Sequence, residues 1–205
     1  MDRRTHWNDV YRTNPSTQES WFEADPRMSL DLILSVAPNG GRLIDVGGGA
    51  SFLVARLLAL GNWQITVLDI SSQAIEQAQA RLGDGSKGVN WMTTDITEVS
   101  DLGVYDIWHD RAVFHFLTAP EERTAYRDRL RAALQPGGHA ILATFAPSGP
   151  EKCSGLTVCR YDADSLAKEL GPGFALIKQL EHSHCTPSGK IQPFTFCVFL
   201  RVGAL

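Results

Sequence analysis

The chain has 205 residues, of which 43% are hydrophobic and 20% charged, and its formal net charge is -4. This length allows one domain with a substantial core, and the ordinary composition excludes a disordered or fibrous protein. The negative charge argues against nucleic acid as the main partner, because such binding needs clustered basic residues that neutralise phosphates. We also find no run of roughly 18 apolar residues and no secretory signal, so we expect a cytoplasmic protein without a membrane partner.

The first 40 residues carry no strand pattern and are predicted to be helical. Trp7 and Tyr11 lie four positions apart on one helical face, and residues 26–38 form an amphipathic pattern. The loop between these helices carries Trp21 and Phe22. These aromatic side chains either pack on the face of a sheet or cover a ligand site.

From Arg42 onward, short apolar runs alternate with helical segments, which is typical of a parallel sheet with crossover helices. Thr118 and Glu121 suggest a capping box for one of these helices, and Pro136-Gly137-Gly138 should end it. The last two strands are joined only by a turn-rich link, so one strand should be antiparallel. We therefore predict an α/β fold with a doubly wound, seven-stranded mixed sheet whose last strand is antiparallel. The predicted strands are 42–46, 64–70, 89–95, 104–110, 139–146, 174–182 and 194–202, and the main helices are 51–60, 71–83, 118–138 and 162–173.

The stretch "LIDVGGGASFL", residues 43–53, joins a strand to a helix through three glycines. Such a turn exposes backbone N–H groups at the carboxyl edge of the sheet, where ligands of open α/β folds bind. Gly47 and Gly49 fit a dinucleotide turn, but Phe52 stands where its third glycine belongs. Asp45 would repel a pyrophosphate and suits a ligand that presents ammonium or hydroxyl donors.

Three more acidic residues lie at the ends of predicted strands. Asp69 ends the second strand, about 20 residues beyond the turn, where such folds place the acceptor for a ribose diol. Asp95 ends the third strand and could accept a hydrogen bond from an exocyclic amine, and Asp110 ends the fourth. Because the carboxyl ends of parallel strands meet at one edge, we expect these carboxylates to gather there.

The segments "LIDVGGGASFL", "VLDIS", "TTDIT", "YDIWHDRAVFHFL" and "LRAALQPGGHAIL" resemble the successive motifs of class I S-adenosylmethionine-dependent methyltransferases. The resemblance implies S-adenosylmethionine as cofactor. It places Asp45, Gly47 and Gly49 around the methionine part. It further assigns the ribose to Asp69 and Ile70 and the adenine to Asp95 and Ile96. Ser51 departs from the family pattern, where a third glycine is common, and we expect no loss of binding from it.

The segment "WHDRAVFHF" carries the candidate catalytic residues His109, Asp110 and Arg111. It is similar to the tryptophan-aspartate-arginine stretch of thiopurine S-methyltransferases, in which the arginine lies at the acceptor pocket. More loosely, it resembles the acid-lysine-glycine stretch of elongation-factor lysine methyltransferases. Both groups have an aromatic lid, which the resemblance assigns here to Trp7, Tyr11 and Trp21. His109 could act as a base or could be packed, whereas His115 is expected to be packed.

These observations predict one methyltransferase domain over 1–205, with 1–40 as a helical lid segment and 41–205 as the cofactor-binding core. The preferred acceptor is a small molecule, with a thiol favoured by the resemblance of the Asp110-Arg111 segment to thiopurine S-methyltransferases. A thiol needs no histidine base, because it reaches its nucleophilic thiolate near neutral pH. A protein lysine is the alternative. A nicotinamide-dependent oxidoreductase and a non-catalytic cofactor-binding module are the alternatives from other classes.

A group of potential soft ligands lies in the last third of the chain. Its members are Cys153, Cys159, His182, His184 and Cys185. Their spacing is unlike that of a zinc knuckle, because the chain has no Cys-x-x-Cys pair. We therefore predict no bound metal and free thiols.

Overall fold

A seven-stranded sheet forms the centre of the computed structural model, which describes residues 2–13 and 15–203. The strands are β1 (Gly41–Val46), β2 (Trp63–Asp69), β3 (Val89–Thr93), β4 (Tyr105–Arg111), β5 (Leu134–Phe145), β6 (Lys152–Cys153), β7 (Leu156–Thr157), β8 (Phe174–Cys185) and β9 (Ile191–Arg201). The sheet order is β3-β2-β1-β4-β5-β9-β8, and β6 and β7 form a separate hairpin. Strands β1 to β5 pair in parallel, whereas β9 is antiparallel to both β5 and β8. The predicted mixed sheet with an antiparallel last strand is confirmed.

Helices cover both faces of this sheet. They are α1 (Arg3–Thr13), α2 (Arg27–Val36), α3 (Leu53–Leu60), α4 (Ser72–Leu82), α5 (Pro120–Ala133) and α6 (Ala163–Leu170). One hydrophobic cluster joins the sheet to α2 and α3, and another joins its opposite face to α5 and α6. Within the described ranges, no helix is both long and apolar enough to cross a membrane.

Local sequence signals fix most of the helix ends. Gly61 ends α3 in the left-handed conformation, with φ of 88°, which costs glycine little. The side chain of Ser71 accepts a hydrogen bond from the Ala74 N–H at 3.2 Å and caps α4. Asp162 caps α6 in the same way, through the N–H of Ser165 at 2.8 Å. The Gly61 and Ser71 signals are correct predictions.

The start of α5 differs from the predicted capping box of Thr118 and Glu121. The helix begins at Pro120, and the carboxylate of Glu122 accepts a hydrogen bond from the Ala119 N–H at 3.2 Å. Only the Glu122 half of a capping box is formed, because Ala119 has no side-chain acceptor, and Pro120 occupies the first helical position, where its missing N–H costs nothing.

The end of α5 also lies earlier than predicted. The helix stops at Ala133, and β5 begins at Leu134, so that the segment 136–138 lies within the strand. Leu134 pairs with Tyr105 and His139 with Ile107, with an irregularity between the two pairs. This bulge accommodates the Pro-Gly-Gly segment inside the strand.

Candidate active site

The glycine turn after β1 is closely packed from two sides. Gly47 has φ of +72°, and a Cβ atom there would lie 2.1 Å from Cγ2 of Val113. The Gly49 N–H donates to Oδ2 of Asp69 at 3.0 Å, and a Cβ on Gly49 would lie 2.7 Å from the same oxygen. The bare backbone is therefore needed to bring β1, β2 and the segment after β4 together at one edge of the sheet.

Two adjoining cavities lie at this edge and share Val46, Gly47 and Arg111. The larger encloses about 830 Å³, including the open space at its mouth. The second encloses about 560 Å³ on the same measure and lies over the glycine turn. Most of the predicted cofactor residues line the larger cavity: Trp7, Tyr11, Trp21, Gly47, Asp69, Ile70, Asp95 and Ile96. Asp45 and His109 line only the second.

Asp69 lies at the end of β2 with its carboxylate almost fully buried. Its Oδ1 accepts a hydrogen bond from the Ser71 N–H at 2.8 Å, and its Oδ2 accepts from Gly49. Burial raises the pKa of this carboxyl group to about 6. Each oxygen keeps acceptor capacity toward the cavity, since a carboxylate oxygen accepts two hydrogen bonds.

Asp95 also lines the larger cavity. Its Oδ1 accepts hydrogen bonds from the N–H and the hydroxyl of Thr97, and its Oδ2 lies 2.9 Å from Nη2 of Arg3. Arg3 also lies 3.3 Å from the carboxylate of Glu122. The start of α1 is therefore tied to the cavity by an arginine that sequence reasoning missed, because no motif connects positions so distant in the chain.

The three predicted lid aromatics lie together over the larger cavity. The ring centroid of Trp7 is 5.7 Å from that of Trp21 and 5.0 Å from that of Phe116, and Tyr11 is 5.9 Å from Trp21. These edge-on arrangements are the favoured ones for aromatic pairs. These side chains therefore pack on one another and line the cavity, and their role in covering a ligand stays a prediction.

Arg111 lines both cavities, and its side chain is largely buried, with 12% exposed. Its guanidinium contacts the carboxylate of Glu23 at 3.0 Å, donates to the Trp21 carbonyl at 2.9 Å and lies over the ring of Phe194. Burial lowers the pKa of the guanidinium, and the charge of Glu23 opposes this effect. Burial alone would raise the pKa of Glu23, but a hydrogen bond with His184 and the charge of Arg111 hold it below its ordinary value.

Asp110 lies on the other face of β4 and lines neither cavity. Its Oδ2 accepts a 2.6 Å hydrogen bond from the Tyr126 hydroxyl, which in turn accepts from the indole N–H of Trp108 at 2.8 Å. The backbone N–H groups of Val113 and Phe114 also donate to this carboxylate. Burial raises its pKa to about 6. The prediction of Asp110 as a residue that meets the acceptor needs correction, because strand alternation turns it away from the neighbouring Arg111.

The two histidines near β4 are both engaged by protein groups. His109 Nδ1 lies 2.6 Å from Oδ1 of Asp45, and its Nε2 lies 2.9 Å from Oγ of Ser29. His115 is fully buried, its Nδ1 accepts from the Phe145 N–H at 3.3 Å, and burial lowers its pKa to about 3. His115 is packed, as predicted, and His109 has no ring nitrogen left to act as a base.

Comparisons with known proteins agree with this geometry. Residues 44–140 match the family model described as a methyltransferase domain. The malonyl-[acyl-carrier protein] O-methyltransferase of Anoxybacillus flavithermus is 27% identical over 131 residues, which are 63% of this chain and 49% of that protein. The EEF1A lysine methyltransferase 2 of Danio rerio is 23% identical over 196 residues, which are 88% of this chain and 78% of that protein. Over this region the chain is similar to class I S-adenosylmethionine-dependent methyltransferases. It spans about half the length of the first of these relatives.

Solved structures share the fold of this chain. One, described as the conversion of a disulfide bond into a thioacetal group during echinomycin biosynthesis, has a TM-score of 0.80 at 18% identity and covers 98% of this chain and 93% of its own. Another is the 1,6-didemethyltoxoflavin-N1-methyltransferase of Burkholderia thailandensis with bound S-adenosylhomocysteine, with a TM-score of 0.72 at 15% identity over 98% of this chain and 84% of its own. The second neighbour contains S-adenosylhomocysteine, the demethylated form of the S-adenosylmethionine that the sequence resemblance implies as the cofactor here.

The residues of the chain fit this cofactor in one testable respect. Oδ2 of Asp45 is buried and has no hydrogen-bond donor within reach among residues 2–13 and 15–203. Asp45 lines the second cavity, and the missing side chain of Gly48 leaves its Oδ2 uncovered, since a Cβ there would lie 2.2 Å away. A buried acceptor without a partner is costly unless a ligand satisfies it. The ammonium of the methionine part is a group of the required kind.

The cysteines and histidines of the last third of the chain do not converge. No group of three or more metal-binding side chains occurs in the described part of the chain. Cys153 lines the larger cavity, and burial raises the pKa of its thiol. Nε2 of His184 contacts the Ser20 carbonyl at 2.8 Å.

Proposed function

We propose that the protein transfers a methyl group from S-adenosylmethionine to a small molecule with an apolar body and an anionic or soft nucleophile, and that a thiol is the preferred acceptor. The observation that carries this proposal is the position of Arg111, whose buried positive charge lies at the junction of the two cavities. Glu23 already pairs with this guanidinium, but its Nε has no hydrogen-bond partner among the described residues and can donate to an acceptor that arrives as an anion. The surrounding rings of Phe116, Phe145 and Phe194 suit an aromatic or apolar body.

The lining of the larger cavity near β4 supports an acceptor that needs no general base. Arg111 is a cation there, and burial raises the pKa values of both the Cys153 thiol and the Tyr11 hydroxyl. The carboxylates of this cavity, Asp69 and Asp95, lie at the ends of β2 and β3. A thiol is the acceptor that ionises most readily among the common uncharged nucleophiles, so alignment beside the methyl group suffices.

The cofactor residues retain the roles that the resemblance implies. We propose that Asp45, Gly47 and Gly49 bind the methionine part, Asp69 and Ile70 the ribose, and Asp95 and Ile96 the adenine. When bound, the cofactor supplies a sulfonium methyl group whose departure leaves a neutral thioether. The remaining work of the chain is to orient the acceptor and exclude water, which Trp7, Tyr11 and Trp21 favour by covering the larger cavity. On this proposal residues 1–205 work as one domain with 1–40 as the lid segment.

A protein lysine is the second candidate acceptor. The similarity to EEF1A lysine methyltransferase 2 extends over 88% of this chain and favours it. A lysine must lose a proton before it attacks, which calls for a carboxylate near the methyl group. The Glu23 carboxylate is the candidate base for a lysine acceptor, but it is paired with Arg111 and lines only the second cavity. The cytoplasmic location and the absence of a nucleic-acid partner stay predictions.

The test uses three acceptors that differ in one atom. Purified protein is incubated with methyl-tritiated S-adenosylmethionine and 4-nitrothiophenol, 4-nitrophenol or 4-nitroaniline, and with cell extract separated into protein and small-molecule fractions. We expect methylation of the thiol at the highest rate and label in the small-molecule fraction. Label on protein lysine, with none on the thiol, would overturn the proposed acceptor class. Tight binding of S-adenosylhomocysteine without transfer to any fraction would instead indicate a non-catalytic module.

A further inference from the structure

A buried chain of three polar side chains connects α2 to the cofactor carboxylate. Ser29 on α2 contacts His109 on β4 at 2.9 Å, and His109 contacts Asp45 on β1 at 2.6 Å. All three residues are at most 3% exposed. Because an ionised carboxylate only accepts hydrogen bonds, Nδ1 of His109 donates to Asp45, and Nε2 shares a hydrogen bond with the Ser29 hydroxyl.

This chain of hydrogen bonds fixes which oxygen of Asp45 remains available. Oδ1 is held by His109, while Oδ2 has no donor within reach in the described residues. Oδ2 also lies beside Gly48, in the wall of the second cavity. Without the imidazole, the carboxylate could rotate about its Cβ–Cγ bond and would lose the preset orientation of its free oxygen.

We propose that His109 is a positioning residue for the cofactor's amino acid part, and that Ser29 in turn orients His109. The proposal rests on the proposed cofactor site, in which Asp45 accepts from the ammonium group. A buried partner that orients a ligand-binding side chain commonly changes affinity by about ten- to a hundredfold when it is removed, as metal sites show. His109 therefore contributes to binding without touching the ligand, and it is not a base for the acceptor.

Two ligands separate this role from a general effect on the fold. S-Adenosylhomocysteine carries the amino acid part, whereas 5′-methylthioadenosine lacks it but keeps the adenosine. Isothermal titration calorimetry measures both affinities in the wild type and in His109→Leu, which removes the hydrogen bonds at similar volume. We expect the affinity for S-adenosylhomocysteine to fall by about tenfold or more, as expected for the loss of a charge-assisted hydrogen bond. The affinity for 5′-methylthioadenosine should stay within about twofold of the wild type.

Two further variants keep the test decisive if His109→Leu does not fold. His109→Asn places an amide donor near the position of Nδ1 and should restore much of the selectivity for S-adenosylhomocysteine. Ser29→Ala should weaken S-adenosylhomocysteine binding selectively, whereas Ser35→Ala is its matched control, because the Ser35 hydroxyl donates only to the Leu32 carbonyl on the same helix.

Three outcomes distinguish the possible failures. Equal losses for both ligands, or no loss for either, would overturn the role of His109 while leaving the proposed cofactor site intact. An equal effect of Ser29→Ala and Ser35→Ala would remove Ser29 from the chain of hydrogen bonds. A wild-type protein that binds neither ligand would overturn the proposed function together with the inference that rests on it.

Discussion

Replacing Tyr126 by phenylalanine should destabilise the protein strongly, although it removes one oxygen atom. The hydroxyl donates to the Asp110 carboxylate at 2.6 Å and accepts from the Trp108 indole at 2.8 Å. Losing a hydrogen bond to a charged group costs about 1.5–3 kcal/mol, and leaving the indole N–H unsatisfied costs about 1–3 kcal/mol. Asp110 keeps its bonds from Val113 and Phe114, so we expect a net loss of about 3–4 kcal/mol in the free energy of unfolding.

The pH dependence of this loss follows from the pKa of Asp110. Burial raises that pKa in the folded protein to about 6 from 3.8, so the contribution of Asp110 to stability is present below 3.8 and is lost as the pH rises through about 6. The Tyr126 hydrogen bond lowers the pKa, so its removal should raise the pKa further. The destabilisation should therefore be larger at pH 8 than at pH 5.

Urea denaturation at both pH values measures these differences, and Tyr105→Phe is the matched control. The Tyr105 hydroxyl is also buried in the core, but it donates to the neutral hydroxyl of Thr66 at 3.1 Å. We expect that variant to lose about 1 kcal/mol with little dependence on pH from this bond. Equal losses for the two variants, or a larger loss for Tyr126→Phe at pH 5, would refute the reasoning about Asp110.

Three other changes test the walls of the two cavities. Arg3→Ala removes the contact to Asp95 and should weaken S-adenosylhomocysteine binding by about 1 kcal/mol in calorimetry, whereas unchanged affinity would show that α1 does not support the site. Ala112 has φ of 72°, so Ala112→Gly should raise the free energy of unfolding by about 1 kcal/mol in urea, and a destabilised variant would contradict this account. Glu23→Gln leaves the charge of Arg111 unpaired and should lower stability by about 2 kcal/mol and speed proteolysis of the loop between α1 and α2. A cleavage rate equal to that of the wild type would show that this ion pair does not hold the loop.

The parts of the fold that depend on neighbouring residues could be predicted from the sequence. The sheet with its antiparallel strand, the end of α3 at Gly61 and the Ser71 cap all follow from local signals. The opposite orientation of Asp110 and Arg111 was also within reach, because successive residues of a strand face opposite sides. The predicted contact of Asp110 with the acceptor did not take this alternation into account.

Contacts between distant segments could not be predicted in this way. Arg3 meets Asp95 across 92 positions, and Ser29 meets His109 across 80. Serine and arginine at the start of a helix are ordinary surface residues by composition, so no local pattern marks them. Only tertiary packing places Arg3 in the wall of the larger cavity and Ser29 beside His109.

The placement of β9 between β5 and β8 has a consequence for synthesis on the ribosome. This strand supplies Phe194, which stacks against Arg111 and lines the larger cavity, and it pairs with β5 along residues 139–145. Until β9 has emerged, the growing polypeptide exposes an unpaired, apolar strand edge that is a template for association with other chains. Chaperone dependence during translation should therefore be greatest in the interval between completion of β5 and release of β9.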